Sequence, residues 1–189
     1  MSGLRITGGE FRGRKIPIPR HELRPTSSRA RQAFFNIVSR DIPGSGFLDL
    51  FAGSGIFALE ALSRGASFAV AIEQMHGAAQ ALMKLGAEWK LPLRVIEGDV
   101  FAGLKQLGGE PSIHVVYADP PYAFERYQAL LERLDTHPGL APSATVAVEH
   151  RKAVEPFNLQ QLTRLRFART ASYGEVAFSL FEAGPEQRD

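Results

Sequence analysis

The sequence predicts an α/β protein built on a doubly wound, mostly parallel sheet, and three observations predict it. From residue 47 onward, short apolar runs alternate with segments of helical periodicity. The first run ends in a turn carrying Gly53 and Gly55, two apart, with a helical segment behind it. Later runs lead into acidic residues, Glu73, Asp99 and Asp119. In open α/β sheets ligands bind at these carboxyl ends of strands.

Two elements precede the sheet. Residues 4–7 and 11–18 flank Gly8-Gly9-Glu10 and read as a β-hairpin. After Pro25, Ser27 or Ser28 caps a helix expected to run to about Arg40. Ala30, Phe34 and Ile37 form its apolar face, with Val38 beside them, and Arg29, Asn36 and Arg40 lie towards the other side. Phe34-Phe35 reads as core rather than as a stacking platform for bases.

The first strand of the sheet is Phe47-Leu48-Asp49-Leu50, running into Phe51-Ala52-Gly53-Ser54-Gly55. A helix over 56–64 follows, closed by Gly65. A second strand, 68–72, ends in Glu73, and a helix over 77–89 places Trp89 at its end. A third strand, 93–97, precedes Asp99 and a helix over 100–107. The fourth, 113–118, runs into Asp119-Pro120-Pro121-Tyr122, with a helix over 124–134 behind it. A fifth, 145–148, ends in Glu149, and strands over 165–171 and 176–182 meet near Tyr173-Gly174.

Two of these junctions carry chemistry. Glycines at a strand–helix turn let backbone approach a ligand closely. The third glycine of a dinucleotide fingerprint is Ala58 here, and no Lys-Ser/Thr makes the turn a P-loop. Glu73, twenty residues after Gly53, stands where a carboxylate accepts hydrogen bonds from ribose hydroxyls. Asp99 stands where a carboxylate contacts an adenine amine. The plain alternative for both acids is a helix cap or a solvated loop. At Asp119-Pro120-Pro121-Tyr122, the prolines fix φ and donate no N–H, which holds their carbonyls in one direction as acceptors. A planar exocyclic amine donates to Asp119 and a proline carbonyl there while its ring stacks on Tyr122. The competing reading is a Pro-Pro turn with an Asp cap. The ordered set of glycine turn, two acids and this motif favours chemistry on a base nitrogen.

Composition limits the alternatives. At 189 residues one domain is the default. Cysteine is absent, which excludes disulfides, thiolate metal sites and methyl transfer to pyrimidine C5 through a cysteine adduct. His21, His76, His114, His137 and His150 show no metal-ligand spacing, so no metal is expected. No signal peptide and no membrane span are expected, and the expected location is the cytoplasm. Charge is uneven. Residues 1–40 hold nine Lys and Arg against two acids, formally +7, and the remainder holds thirteen against eighteen, formally −5. A basic head on an acidic body suggests a nucleic-acid partner. Arg12, Arg14, Lys15, Arg24 and Arg29 are the candidate phosphate contacts.

The same stretches resemble a known family. The glycine turn, the acids and DPPY look like a class I S-adenosylmethionine-dependent methyltransferase of the amino-methylating kind. More closely, the chain is similar to the RsmD family. The residues that carry this likeness are Arg5 through Lys15, Leu23-Arg24-Pro25-Thr26, Asp49 through Gly55, Glu60 through Ala66, and DPPY. Where the family usually shows Thr-Asp-Arg-Val-Arg-Glu, this chain has Ser27-Ser28-Arg29-Ala30-Arg31-Gln32 and lacks both acids.

The resemblance implies a Rossmann-like sheet closed by an antiparallel last strand. It also implies transfer of methyl from S-adenosyl-L-methionine, with S-adenosyl-L-homocysteine as product. The acceptor it implies is a guanine N2 amine of 16S rRNA, the guanine(966)-N2 type of activity, within the small ribosomal subunit or an assembly intermediate. Asp49, Phe51, Ala52, Gly53, Ser54, Gly55, Glu73, Gln74, Asp99 and Val100 then fall at the cofactor, and Asp119, Pro120, Pro121 and Tyr122 at the amine. A monomer is expected, with a basic extension over 1–40, a catalytic domain over 41–183 and a frayed tail over 184–189. The rival functions are a DNA adenine-N6 methyltransferase, a non-catalytic rRNA-binding assembly factor and a nicotinamide dehydrogenase.

Overall fold

In the computed structural model, residues 4–17, 28–109, 112–121, 123–152 and 157–185 are described. The hairpin pairs β1 (Leu4–Arg5) with β2 (Lys15–Ile16). Its strands are shorter than expected, because residues 6–14 are spent on turns. Ile6 N–H still donates to the Arg14 carbonyl at 3.0 Å, but Arg12 and Arg14 donate back to the Gly9 and Phe11 carbonyls in tight turns. Phe11 thus leaves the strand and packs its ring on Trp89, 5.8 Å between centroids.

Helix α1 (Ser28–Ile37) stops three residues before the expected Arg40. The chain then turns tightly, with Asp41 and Ile42 both donating to the Val38 carbonyl. Its buried side holds Ala30, Phe34 and Phe35, and it also holds Arg31, which was not expected there. Phe34 is fully buried at the centre of an aromatic cluster, with the rings of Phe35, Phe57, Tyr117 and Phe178 between 4.9 and 6.2 Å away. The pair is core, as its sequence suggested.

The main sheet has seven strands in the order β5-β4-β3-β6-β7-β9-β8. These are β3 (Gly46–Leu50), β4 (Phe68–Glu73), β5 (Leu93–Glu97), β6 (Ile113–Ala118), β7 (Leu140–Arg151), β8 (Leu165–Tyr173) and β9 (Val176–Ala183). Strands β3 to β7 pair in parallel, and β9 runs antiparallel to both neighbours. β7 is far longer than the predicted four residues. Its hydrophobic alternation is broken by Pro142 and Ser143, and β9 supplies a ladder along its far half.

Helices α2 (Ile56–Ser63) and α3 (His76–Glu88) cover one face with α1 and the hairpin. Helices α4 (Val100–Leu107) and α5 (Tyr127–Asp135) cover the other. α5 begins three residues later than expected, because Phe124 is held in a turn by the Pro121 carbonyl at 2.8 Å. The strand order reverses between β3 and β6. That reversal opens a crevice at their carboxyl ends.

Glu60 of α2 is completely buried and ties the N-terminal elements to this face. Arg31 donates to it from α1 at 2.8 Å, and Arg64 donates at 2.7 Å. Both the backbone N–H and the hydroxyl of Thr7 also donate to it. Arg31 reaches on to the Arg5 carbonyl at 2.8 Å, so one carboxylate organises hairpin, α1 and α2 together. Among the described residues, no helix is long and apolar enough to cross a membrane.

Candidate active site

The crevice is a cavity of about 830 Å³, within the range of small-molecule sites. The first wall is the turn after β3. Phe51 takes a positive φ of 65°, and Gly53 and Gly55 take 55° and 71°. A bulky residue rarely adopts that conformation, and such outliers gather at functional sites. Phe51 is braced by the edge of Phe124, 5.1 Å between centroids. Phe51, Ala52, Gly53 and Ser54 all face the cavity. Gly55 does not. Its role is packing, since a Cβ there would lie 2.3 Å from the Leu82 side chain of α3.

The second wall is the end of β4. Glu73 is buried, and its two carboxylate oxygens accept from Gly53 N–H at 2.6 Å and Met75 N–H at 2.7 Å. It therefore holds the glycine turn against the start of α3. Each oxygen keeps further acceptor capacity towards the cavity. Gln74 and Met75 line the space beside it. Met75 was not singled out from the sequence, because a lone methionine after a strand carries no signal.

Asp99 caps α4, accepting from Phe101 N–H at 2.9 Å. It is exposed, and its neighbours Gly98 and Val100 reach the cavity in its place.

The third wall is acidic. Asp49, Tyr117 and Asp119 project from β3 and the end of β6, with Pro120 and Pro121 following. Asp49 is buried and accepts from Ala58 N–H at 3.1 Å. Burial, with the charges of Asp119 and Glu73 nearby, pushes its carboxyl up to about 8 despite that bond. Glu149, from β7, is pushed up to about 7 by burial and then by the Asp119 charge. Its Oε2 accepts the Tyr117 hydroxyl at 2.6 Å. Burial and the same charges hold that phenol well above its ordinary value, so it stays a donor. Tyr117 is fixed in turn by stacking on Phe57 at 3.7 Å. Tyr127, His150, Arg151 and Tyr173 complete this side. None of them was named as a site residue from the sequence, because they converge only through sheet order.

Tyr122 and Arg24 lie outside the described residues. Of the other candidate phosphate contacts, Arg12 and Lys15 are exposed on the hairpin, and Arg29 lines the cavity mouth. Arg14 is exposed too, with its guanidinium 4.3 Å over the Trp89 ring. No group of three or more His, Asp or Glu is arranged to hold a metal ion among the described residues.

A parallel sheet closed by one antiparallel strand, with this crevice at its switch point, is the fold of S-adenosylmethionine-dependent methyltransferases. A Salinibacter ruber RNA methyltransferase solved with S-adenosyl-L-homocysteine has the same fold at 17% identity, TM-score 0.62, over 88% of this chain and 97% of that one. Within that class the match narrows. A family model described as "Conserved hypothetical protein 95" matches residues 4–182. Ribosomal RNA small subunit methyltransferase D of Escherichia coli K12 is 38% identical over 148 residues, 77% of this chain and 74% of the relative. Its Haemophilus influenzae namesake is 33% identical over 183 residues, 95% and 93% of the two chains. The solved structure of the Escherichia coli protein yhhF superposes with a TM-score of 0.85 at 30% identity, covering 98% of this chain and 100% of that one. The chain belongs to the RsmD family of methyltransferases.

Proposed function

We propose that this protein methylates the exocyclic N2 amine of a guanine in small-subunit ribosomal RNA, the activity of guanine(966)-N2 type, acting on the subunit or an assembly intermediate. The observation that carries the reading is the meeting, in one acidic cavity, of the glycine turn and Glu73 with Asp119-Pro120-Pro121.

The residues fit S-adenosylmethionine. Glu73 and Asp49 offer buried carboxylates to hydroxyl and ammonium donors, and their charge suits a cation. Phe51, Ile72 and Val100 offer apolar walls to an adenine ring. When bound, the cofactor supplies a methyl group on a cationic sulfur that leaves as a neutral thioether. Gly53, Ser54 and Gln74 border its place, and Asp99 is assigned a weaker, peripheral part from its exposed position.

The acceptor amine is a poor nucleophile because its lone pair is delocalised into the base. Asp119 and the Pro120 carbonyl draw its hydrogens into a geometry that frees the lone pair. They also stabilise the positive charge that develops on nitrogen. The nitrogen would take the methyl of a cofactor held there, with the neutral thioether as leaving group, and the proton the amine releases would pass to Asp119 or to water. Holding amine and methyl together supplies much of the remaining acceleration. In this reading residues 1–40 are a basic extension that guides RNA to a catalytic domain over 41–183, through Arg12, Arg14, Lys15, Arg24 and Arg29.

The test uses methyl-labelled S-adenosylmethionine with small-subunit rRNA, assembled small subunits and duplex DNA from methylation-deficient cells. N2-methylguanosine from the rRNA or the subunit is the expected product. N6-methyladenine from DNA, or no transfer to RNA, overturns the reading.

A further inference from the structure

We propose that Glu149, held by Tyr117, is the residue that selects guanine by accepting its N1–H beside the reacting amine. The inference rests on the guanine-N2 reading and deepens it, since it says how that base is told from others.

The placement follows from register. β6 and β7 run in parallel, with Tyr117 level with Ala147 and Ala118 level with Val148. One residue further on, Asp119 and Glu149 leave adjacent strands at the same level. Alternation along a strand puts both on the face that carries Tyr117. Neighbouring strands lie about 4.8 Å apart. Two carboxylates at that spacing, both lining the cavity, face it as a pair of acceptors.

A guanine edge presents N1–H and N2–H donors side by side, and its complement is two acceptors. Adenine and cytosine place an acceptor nitrogen next to the amine. Against Glu149 that nitrogen would meet a carboxylate, which repels it. Selection of this kind uses an unfavourable contact with the wrong partner as well as a good one with the right partner.

Glu149 is built for a fixed direction. Its Oε2 is engaged by the Tyr117 hydroxyl at 2.6 Å, and Tyr117 cannot swing because Phe57 stacks on it at 3.7 Å. The hydroxyl donates to Oε2, which is thereby engaged as acceptor. Oε1 is the atom offered to the base. Tyr117 is a positioning residue for Glu149. The titratable and charged groups that share the cavity with Glu149 and Tyr117 are Asp49 of β3, Glu73 of β4, Asp119 after β6, Tyr127 of α5, His150 and Arg151 of β7, Tyr173 and Glu175 of the β8–β9 turn, and Arg29 of α1. Burial and Asp119 favour a protonated Glu149, and a guanine N1–H favours the carboxylate.

The test compares two synthetic RNAs, identical except at the methylated position, which is guanosine in one and 2-aminopurine riboside in the other. The second keeps the reacting amine but replaces N1–H with an acceptor nitrogen. Single-turnover kcat/KM is measured for the full-length protein and for Glu149→Gln and Tyr117→Phe. A hydrogen bond to a charged group predicts that the parent protein prefers guanosine by roughly 10- to 100-fold. Glu149→Gln, whose amide donates to the acceptor nitrogen, should bring that ratio within about threefold of one. Tyr117→Phe should fall between, since it loses the hold but keeps the ring stack. A ratio unchanged in Glu149→Gln overturns the inference while leaving guanine-N2 methylation standing. Failure of the parent protein to make N2-methylguanosine overturns the underlying reading instead. Loss of activity through misfolding lowers both rates together and leaves the ratio, so the ratio separates a structural role from a selective one.

Discussion

Asp119 stands at the junction of two demands that a single residue type has to meet. In the proposed reaction it must accept from an amine, and it must do so beside other acids. Its field raises Asp49 and Glu149, and after burial it is the largest cause of the high values of Tyr117 and Tyr127. A carboxylate whose field reaches four groups around one crevice sits at the centre of that crevice. In the proposed reaction it is the acceptor through which the developing charge on nitrogen is stabilised. Asp119→Ala is therefore expected to lower turnover by about 10²- to 10⁴-fold, the range of a positioned proton acceptor. S-adenosylmethionine affinity, measured by calorimetry, should stay near the parent value because Glu73 and the glycine turn are untouched. Near-normal turnover would remove Asp119 from the chemistry.

At the scale of elements, Glu60 decides how the N-terminal hairpin and α1 sit on the sheet. It is fully buried and takes donors from Thr7, Arg31 and Arg64. Glu60→Ala leaves Arg31 buried without its partner, and breaking such a pair costs about 3–5 kcal/mol. Urea unfolding should show that loss, and a loss under about 1 kcal/mol would mean the arginines find water instead. This cluster also marks where sequence reasoning stopped. Arg31 and Glu60 lie in segments that the family resemblance picked out, yet nothing in their spacing says that they meet. Regular elements were legible where one period ran unbroken, as in 68–73 and 113–118. They were misjudged where backbone bonds overrode pattern, as in the 6–14 turns and the start of α5. The glycine turn, Glu73 and Asp119 were legible because strand ends carry them. Tyr117 and Glu149 were not legible as a pair, because only the β6–β7 register brings them together.

The whole molecule carries two opposed charge regions, and each makes a measurable statement. On the basic head, Arg12 and Lys15 are exposed on the hairpin. Changing both to Gln should reduce the salt slope of RNA binding by roughly two units, one per lost phosphate contact, and an unchanged slope would show that they point away from RNA. The acidic crevice acts on folding itself. Asp49 is held at about 8 and Glu149 at about 7, both above the ordinary carboxylate values of 3.8 and 4.5. A raised group contributes stability that is complete below its unfolded value and is lost as pH rises through its folded value. Asp135 has the opposite sign, being held low by backbone N–H bonds from Leu165, Thr163 and Arg164 despite burial, so its effect is confined to pH below about 4. His137, held low by burial, adds stability as pH rises towards its ordinary value of 6.5, so the ligand-free protein should lose Tm most clearly from about pH 6.5 to about pH 8. Asp49→Asn cannot ionise, so it should flatten most of that decline, and Glu149→Gln should flatten the lower part. S-adenosylmethionine, a cation, should bind more tightly over the same interval as the carboxylates ionise, so its stabilising effect should grow with pH. Thermal melts of the three proteins across this range, with and without cofactor, check both signs at once. A parent Tm that stays level without cofactor would mean that the crevice accommodates its charges at no cost, and that its acidity is not held in reserve for a cationic ligand.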